Sequence, residues 1–367
     1  MEIVQSLYLG GRSVRIKQTV NGLRANGNHV VVASLAEPDK KFDIESLIIL
    51  PCDAKIPWRI ILKLVKLIKQ HDIDVIHAHC EKTQLIAGIA GWLTKTPMVA
   101  TVHRSNLTRY LPSRINSLVK FVATHFVAVS SERLMRLHNQ LNIPLDCLTT
   151  IHGGVNPRAL PNESMVAELK QKLNIVENKC ILLSLGHMGE IKGHSDTLDA
   201  LSMIDKSSFY LYIAGTGSTQ EIGFIKDKID TLELEGNVEL VGQLADVNPW
   251  LDCCDIFVQP SREEAFGLVF IESGLAGKPV VATKIGGIQD IVINQKTGIL
   301  VDIRQPAQLA VAIKTLINDQ NKRKQMGLSG AHHINEHFLI DDMISDYENL
   351  FIQITKRKVS RWKQLLQ

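Results

Sequence analysis

The sequence predicts an α/β protein made of two doubly wound parallel sheets. Its 367 residues correspond to two domains at roughly 100 to 200 residues per domain. Runs rich in valine and isoleucine alternate with helical patterns along nearly the whole chain, which is typical of parallel α/β layers. The alternation breaks at the glycine and proline cluster of residues 153–157, as expected at a hinge. We therefore expect a Rossmann-like domain at 1–156, a second at 157–339, and a C-terminal helix at 340–367 that packs back toward the first.

Seven runs predict strands in the first domain, with helical segments between most of them: Glu2–Tyr8, His29–Ser34, Leu47–Leu50, Asp74–His79, Met98–His103, His125–Ser130 and Leu148–His152. Six runs predict strands in the second domain: Cys180–Gly186, Phe209–Gly215, Asn237–Gly242, Asp255–Pro260, Pro279–Thr283 and Gly298–Val301. After Pro306 the pattern is mostly helical. Sheets of this kind bind their ligands at the carboxyl ends of the strands, so functional residues are expected there.

The composition excludes several classes of protein. Hydrophobic residues make up 45% and charged residues 22% of the chain, which excludes intrinsic disorder and a fibrous repeat. The longest apolar stretch, Leu85 to Leu93, is about half the length of a membrane-spanning helix. The N-terminus does not resemble a signal peptide, and the six cysteines contain no CxxC pair. We therefore expect a cytoplasmic protein with reduced, mostly buried cysteines.

The sharpest functional signal lies at residues 260–272, after the strand predicted at 255–260. Gly267 opens a helix, so the free N–H groups of Phe266, Gly267 and Leu268 point toward the strand ends, where a phosphate would be favoured. Glu264 precedes this helix and Glu272 lies within it. Two acids eight residues apart are most often solvated surface charges, but their position at a strand end favours a site.

This segment resembles the E-x7-E signature of retaining glycosyltransferases with the two-domain GT-B architecture, specifically family 4, also called glycosyltransferase group 1. Further matches follow in family order over nearly the whole chain: Gly10-Gly11, the Thr101-Val102-His103 turn, Gly186 with Lys192-Gly193, Ile213–Gly217, Val241-Gly242 and Gly286-Gly287. The resemblance implies two Rossmann-like domains that face each other across a cleft. It also implies that the first domain binds the acceptor and the second binds a nucleotide-sugar donor.

Lys192 is the natural cation for the diphosphate that leaves when a sugar is transferred. It precedes Gly193, which starts a helix at His194, so a second helix N-terminus points at the same place. The alternative is an ordinary solvated lysine. By resemblance, Glu264 would hold hydroxyls of the donor sugar and Glu272 the ribose of the nucleotide. The other donor-binding residues expected are Gly10, Gly11, Gly186, His187, Gly242, Leu244 (with residues 242–244 against the base), Phe266, Gly267 and Leu268.

His103 is the third catalytic residue expected, with Lys192 and Glu264. It ends a predicted strand, and the resemblance implies that it lines the acceptor side near the reacting carbon. His77 and His79 share one strand face next to Cys80, which suggests a metal site, but no further ligand has zinc-like spacing. We therefore expect no metal and no cofactor other than the donor itself.

The chain departs from the family pattern at three places. His187 stands where the family has an arginine, so a permanent cation is replaced by a group only partly charged near neutral pH. Arg262 is a candidate to compensate. The family's Pro-Asn-Gly hinge is His152-Gly153-Gly154 here, and Asp290 replaces the glutamate that follows the paired glycines.

Positive charge is concentrated in the first domain, where residues 1–156 carry a net charge of +8 and residues 157–355 a net charge of −10. The segment 82–131 has no acid but contains Lys82, Lys95, Arg104, Arg109, Arg114 and Lys120. The helix predicted at 58–70 has a lysine-rich face, and the tail combines Trp362 with five basic residues. A solvated face on a packed helix is one interpretation, and docking to an anionic membrane surface is the other. Nucleic acid is not expected, because no aromatic-rich platform or helix-turn-helix accompanies these charges.

The residues and the resemblance together predict a retaining glycosyltransferase. It would move a hexose-type sugar from a nucleoside-diphosphate sugar to a cell-envelope glycan or glycolipid such as lipopolysaccharide core, at the inner face of the plasma membrane. The mechanism implied is front-face attack without a protein nucleophile. Two alternatives remain: a nucleotide-sugar 2-epimerase of the same architecture, and a non-catalytic donor-binding subunit.

Overall fold

The computed structural model describes residues 1–7, 11–39, 44–52, 57–103, 106–110, 115–158, 161–173 and 179–365, with side chains described up to residue 356 apart from those of residues 109, 115 and 116. The chain forms two compact units, here called unit 1 (Met1–Gly154 with Ile340–Gln367) and unit 2 (Val155–Leu339). Each unit is a parallel sheet flanked by helices. The predicted fold class, α/β with two Rossmann-like domains of the GT-B architecture, is confirmed.

Unit 1 contains a seven-stranded sheet in the order β3-β2-β1-β4-β5-β6-β7. Its strands are β1 (Glu2–Val4), β2 (Val32–Ser34), β3 (Leu47–Ile49), β4 (Ile76–Ala78), β5 (Met98–Val102), β6 (His125–Ala128) and β7 (Leu148–Thr150). Its helices are α1 (Gly11–Ala25), α2 (Trp58–Gln70), α3 (Glu81–Thr94), α4 (Val119–Val122), α5 (Ser131–Leu141) and the C-terminal α14 (Ile340–Leu365). All strand pairs are parallel.

Unit 2 contains a six-stranded sheet in the order β10-β9-β8-β11-β12-β13. Its strands are β8 (Cys180–Leu185), β9 (Phe209–Ala214), β10 (Val238–Gly242), β11 (Ile256–Gln259), β12 (Val280–Thr283) and β13 (Gly298–Val301). Its helices are α6 (Glu163–Lys172), α7 (His194–Leu201), α8 (Thr219–Thr231), α9 (Asn248–Cys253), α10 (Leu268–Leu275), α11 (Ile288–Ile291), α12 (Pro306–Asn318) and α13 (Gln320–His337).

Helices cover both faces of the unit 1 sheet. On one face α2 buries Ile61, Leu64 and Ile68 in the main core, and α2 packs against α3, which packs against α4. In a second cluster, α14 packs with α1, and Tyr347 of α14 lies against strand residues such as Val99. The C-terminal helix is therefore part of unit 1.

The strand order reverses between β1 and β4 in unit 1 and between β8 and β11 in unit 2. At such a switch point the connections on either side leave in opposite directions, which opens a crevice at the carboxyl ends of the two strands. Chemical groups that follow β1, β4, β8 and β11 are therefore the ones placed for ligand binding.

None of the helices in the described part of the chain is both long and apolar enough to cross a membrane. Four of the six cysteines are buried, and Cys52 and Cys147 are half-buried.

Candidate active site

The turn after β8 carries Lys192 and is closed by Gly193. Gly193 has a φ of +72°, and a Cβ atom there would lie 2.0 Å from the carbonyl oxygen of Pro260. No other residue fits this position without moving the backbone, since a side chain would be strained and would clash. The close approach brings the loop after β8 directly against the loop after β11, at the switch point of unit 2.

Lys192 and Glu264 meet across these two loops. The Nζ of Lys192 lies 2.7 Å from Oε2 of Glu264, and the two side chains are 25% and 14% exposed. The structure thus brings together two of the three predicted catalytic residues, although they are 72 residues apart in the chain. Partial exposure leaves the lysine accessible to an anion, while the carboxylate holds it in position.

The loop that carries Glu264 is shaped by three glycines. Gly267 caps α10 with a φ of +102°, where a Cβ atom would lie 2.5 Å from the ring of Phe270. Gly286 passes so close that a Cβ atom would lie 1.9 Å from the carbonyl oxygen of Glu264, and Gly287 lies against the backbone of Phe266. The paired glycines after β12 therefore support the loop through close backbone packing.

Glu272 lies on α10 and is half-buried. Burial raises the pKa of its carboxyl group, and the nearby charge of Arg158 opposes this shift. Arg158 itself pairs with Asp252 at 2.8 Å. The Glu272 carboxylate makes no hydrogen bond to any residue that the structure describes, so its oxygens remain available to hydroxyl donors.

At the carboxyl ends of β10, β9 and β8, three glycines contact one another through their backbones. Gly242 ends the edge strand β10, and its carbonyl accepts a hydrogen bond from the N–H of Gly215 at 2.8 Å. Gly215 in turn lies against Gly186, since a Cβ atom on it would lie 1.7 Å from the Gly186 carbonyl oxygen. Gly242 and the half-buried Leu244 thus lie two strands away from Lys192, on the same edge of the sheet.

His187 and Arg262 lie in different surroundings. His187 is 57% exposed, and its Nδ1 accepts a hydrogen bond from the N–H of Gly189 at 3.0 Å. The guanidinium of Arg262 binds both carboxylate oxygens of Asp196 at 2.8 and 3.1 Å and also pairs with Glu190. Because these acids neutralise Arg262, the structure does not support its compensating for the missing arginine.

In unit 1, His103 follows β5 and joins a buried cluster. Its Nε2 lies 3.1 Å from Nδ1 of His79, whose Nε2 lies 2.6 Å from Oε2 of Glu2. The other oxygen of Glu2 lies 2.9 Å from Nδ1 of His77. Gly11 begins α1, the helix that follows β1 in the chain, whereas Gly10 lies outside the described residues.

The cluster has strongly shifted pKa values. Burial would raise the pKa of Glu2, but the charge and hydrogen bonds of His77 and His79 outweigh it, and the pKa falls well below its ordinary value. Burial, reinforced by His77, lowers the pKa of His79 to about 4 against the opposing effect of Glu2. Burial and the neighbouring charges also lower the pKa of His103 well below its usual range.

Glu2 and Tyr347 are members of this cluster that the sequence did not single out. The Nε2 of His77 lies 2.7 Å from the hydroxyl of Thr101, which lies 3.3 Å from the Tyr347 hydroxyl. Parallel pairing of β1 with β4 places Glu2 opposite His77. The signal that was available is the acid inside the apolar strand Glu2-Ile3-Val4, because a buried acid needs a partner.

Glu2, His77 and His79 are close enough to share a metal ion, since one ligand atom from each lies within 4.8 Å of the others. Cys80, which the sequence placed beside the histidines, is instead bonded to the Thr83 side chain at 3.1 Å. In the structure both Glu2 oxygens are already bonded to the two imidazoles.

The basic surface of unit 1 is partly described. Arg104 and Arg114 lie outside the described residues, as do the side chains of Arg109 and of the tail beyond residue 356. On α2 the apolar side is buried, while Lys63, Lys66 and Lys69 are exposed beside Trp58 and Leu62, which are 61% and 63% exposed. Trp92 on α3 and Phe121 on α4 are 73% and 75% exposed, and Lys120 lies over the Phe121 ring.

Two nucleotide-type folds, with a lysine and two helix N-termini at the switch point of unit 2, are features of the class of proteins that bind nucleotides or other phosphate ligands. Comparison with known proteins supports this class. The family model for glycosyl transferases group 1 matches residues 165–333, and the model for glycosyltransferase family 4 matches residues 9–159. The chain belongs to family 4 of the glycosyltransferases, which is a retaining family.

Individual relatives have low sequence identity to this chain, but they align with most of its length. The chain is 23% identical over 305 residues to the N-acetyl-alpha-D-glucosaminyl L-malate synthase of Bacillus anthracis, covering 80% of this chain and 78% of the relative. It is 24% identical over 340 residues to the capsular polysaccharide biosynthesis glycosyltransferase CapM of Staphylococcus aureus, covering 88% of each.

Solved structures share the fold. HepE of Anabaena in complex with UDP aligns with a TM-score of 0.85 at 21% identity, covering 96% of this chain and 100% of that one. WaaG, a glycosyltransferase involved in lipopolysaccharide biosynthesis, aligns with a TM-score of 0.75 at 16% identity, covering 96% and 99%.

Proposed function

We propose that this enzyme transfers a hexose-type sugar, with retention of anomeric configuration, from a nucleoside-diphosphate sugar bound by unit 2. The observation that carries the proposal is the Lys192–Glu264 pair at the β8–β11 switch point. Negative charge grows on the diphosphate as the sugar leaves, and a fixed, partly buried cation stabilises that charge. The N-termini of α7 and α10 begin in the same two loops and favour the same anion.

In this proposal, different residues of unit 2 bind different parts of the donor. Glu264 accepts hydrogen bonds from the sugar hydroxyls and Glu272 from the ribose, while residues 242–244 lie against the base. His103 of unit 1 contacts the hydroxyl group of the acceptor. Because HepE has been solved with UDP and with UDP-glucose, uridine nucleotides are the first donors to test.

A panel of nucleotide sugars, screened by thermal shift, tests the donor. A ligand that binds only the folded protein stabilises it by about 2.7 kcal/mol at a concentration 100-fold above its Kd. Stabilisation by one nucleoside diphosphate and its sugar, abolished in Lys192→Ala, is expected. No stabilisation by any nucleotide would contradict the proposal.

Incubation of the purified enzyme with the selected donor alone separates transfer from epimerisation. A 2-epimerase would release a free sugar with inverted C2, whereas a transferase leaves the donor largely intact until an acceptor is added. With acceptor, the anomeric proton coupling of the product reports retention. A donor that stays intact with every acceptor would favour the non-catalytic subunit.

We further propose that the acceptor is a cell-envelope glycan or glycolipid presented at an anionic membrane. CapM and WaaG carry envelope polysaccharide roles in their names, but other relatives act on small molecules such as malate. The exposed aromatic side chains and lysines on α2, α3 and α4 support the membrane, because aromatic rings and lysines are suited to the lipid interface.

A further inference from the structure

The hydrogen bonds of the unit 1 cluster have a fixed direction. Glu2 is 2% exposed, and an ionised carboxylate only accepts hydrogen bonds. Its contact with His79 at 2.6 Å therefore places the His79 proton on Nε2. In a neutral imidazole the other nitrogen is then an acceptor, so the 3.1 Å contact requires that Nε2 of His103 donates to Nδ1 of His79.

The protonation states at neutral pH agree with this direction. The pKa of Glu2 lies below its ordinary value, so its carboxyl group is ionised. The pKa of His79 is lowered to about 4, so its ring is neutral. Burial lowers the pKa of His103, and the ionisable groups that face it from β4, from the residue after β4 and from α1 reinforce the shift: His79, Arg15, Arg12 and His77.

We propose that Glu2 and His79 are positioning residues that hold His103 as its Nε2–H tautomer, which leaves Nδ1 as a hydrogen-bond acceptor for a substrate hydroxyl. The substrate part rests on the proposed function. Nδ1 of His103 has no hydrogen-bond partner among the residues that the structure describes, and the half-buried ring lies at the carboxyl end of β5. A neutral acceptor suits a hydroxyl that must lose its proton, whereas a cationic ring would suit a phosphate.

The second oxygen of Glu2 belongs to a separate branch that anchors the carboxylate. It runs through His77 and Thr101 to Tyr347, whose hydroxyl accepts from Arg15 at 3.0 Å. This branch leads away from His103 and ends on α14. Removal of the Tyr347 hydroxyl therefore provides a matched control, because it disturbs the same buried network without touching the His79–His103 contact.

The ring nitrogens report the tautomer directly. With ¹⁵N-labelled histidine, and the His103 signals assigned by their loss in His103→Gln, we expect a protonated Nε2 and an unprotonated Nδ1 at pH 7. The opposite tautomer, or a doubly protonated ring, would overturn the proposal. This measurement needs neither substrate nor turnover, so it stands even if no sugar donor is found and the proposed function fails.

A metal ion gives a contrasting result. A metal ion on Nε2 of His79 would replace the proton that this nitrogen donates in its hydrogen bond to Glu2. The ring proton of His79 would then lie on Nδ1, so His79 would donate to His103 and the direction of that hydrogen bond would be reversed. Elemental analysis after dialysis, with Zn²⁺ added as the probe, is expected to find no stoichiometric metal. One ion per chain, lost in Glu2→Gln, would overturn the proposal in favour of a metal site.

Two variants of His79 test the link to catalysis. A glutamine can donate to Glu2 through its amide nitrogen and accept from His103 through its oxygen, whereas phenylalanine can do neither. We expect His79→Phe to lower kcat by about 10-fold to 100-fold, the size of a misplaced acid–base group, with the donor KM unchanged. We expect His79→Gln and Tyr347→Phe to stay within about threefold of the wild type.

Equal kcat values for the Gln and Phe variants of His79 would overturn the proposal, whether both are active or both are impaired. If His79→Phe does not fold, the tautomer measurement on the wild-type protein decides alone. Transfer must first be observed for the kinetic comparison, and its absence from the wild type would contradict the proposed function rather than the tautomer.

Discussion

Lys192 is the residue on which the proposed donor chemistry depends most. We expect Lys192→Ala to lower turnover by about 100-fold, because loss of a cation that opposes a leaving diphosphate costs on the order of 3 kcal/mol of barrier. The substitution also leaves the 14% exposed Glu264 carboxylate unpaired, which repels the diphosphate. Steady-state transfer kinetics on the folded variant measure the effect.

Lys228 offers the matched control. It lies on α8, is 20% exposed, close to the 25% of Lys192, and pairs with Asp199 of α7 at 2.6 Å. Lys228→Ala should therefore cost similar ion-pair stability and leave turnover unchanged. Wild-type turnover in Lys192→Ala, or an equal loss in both variants, would remove Lys192 from the mechanism.

Substitutions of Glu264 and Glu272 are expected to lower different quantities. Glu264→Gln should mainly lower kcat, because it loosens both the sugar and Lys192, whereas Glu272→Gln should mainly weaken nucleoside-diphosphate binding. Calorimetric titration with the nucleotide separates the two. The exposed neighbour Glu263 supplies a control, Glu263→Gln. If Glu264→Gln and Glu272→Gln lose the same nucleotide affinity, the division of roles is wrong.

At the scale of secondary-structure elements, the site depends on how two loops approach each other. We expect Gly193→Ala to lower the free energy of unfolding by about 2 kcal/mol or more, since it combines a left-handed φ with a backbone clash. It should weaken donor binding as well, because Lys192 and α7 move with the loop. Urea denaturation and nucleotide titration measure the two effects.

Gly223, inside α8, is the control glycine. A Cβ atom there meets nothing within 4 Å, and alanine is a better helix residue than glycine by about 0.5 to 1 kcal/mol. Gly223→Ala should therefore raise stability slightly without changing donor affinity. A Gly193→Ala protein as stable as Gly223→Ala would show that the close approach to Pro260 is unimportant.

For the whole molecule, the prediction concerns binding to an anionic membrane surface. If α2, α3 and α4 dock on an anionic membrane, neutralising Lys63, Lys66 and Lys69 to glutamine should weaken vesicle binding on the order of 100-fold, at about 1 kcal/mol per charge. Salt should have the same effect, because exposed charges are screened beyond about 8 Å at physiological ionic strength. Co-sedimentation with vesicles, with and without anionic lipid, measures this.

Two single substitutions sharpen that experiment. Trp58→Ser removes an exposed aromatic side chain of the proposed surface, and Phe224→Ser removes a comparably exposed one, 59%, from α8 of unit 2. Only the first should reduce vesicle binding. Binding that ignores lipid charge, salt and Trp58 would exclude the membrane surface and leave the donor chemistry of unit 2 unaffected.

Local sequence determined much of this protein. Every predicted strand is present, because buried parallel strands must be short, continuous valine-rich and isoleucine-rich runs. Where both bounds are described, the strands end at most two residues earlier than predicted, as in β6, which ends at Ala128 rather than Ser130, since apolar character continues beyond the last ladder hydrogen bond. Family membership followed from glycines and acids at fixed spacing, which are local requirements of phosphate loops.

Only the tertiary structure decided which charges meet. The pairing of Lys192 with Glu264, the neutralisation of Arg262 by Asp196, and the Glu2–His79–His103 chain each join residues far apart in sequence. Hydrogen-bond direction and pKa depend on distances of a few ångströms and on burial, and neither is encoded in a local pattern. The sequence alone thus determined the two sheets and the glycine-rich loops that follow their strands, whereas packing determined which side chains meet at the ends of β1, β4 and β5.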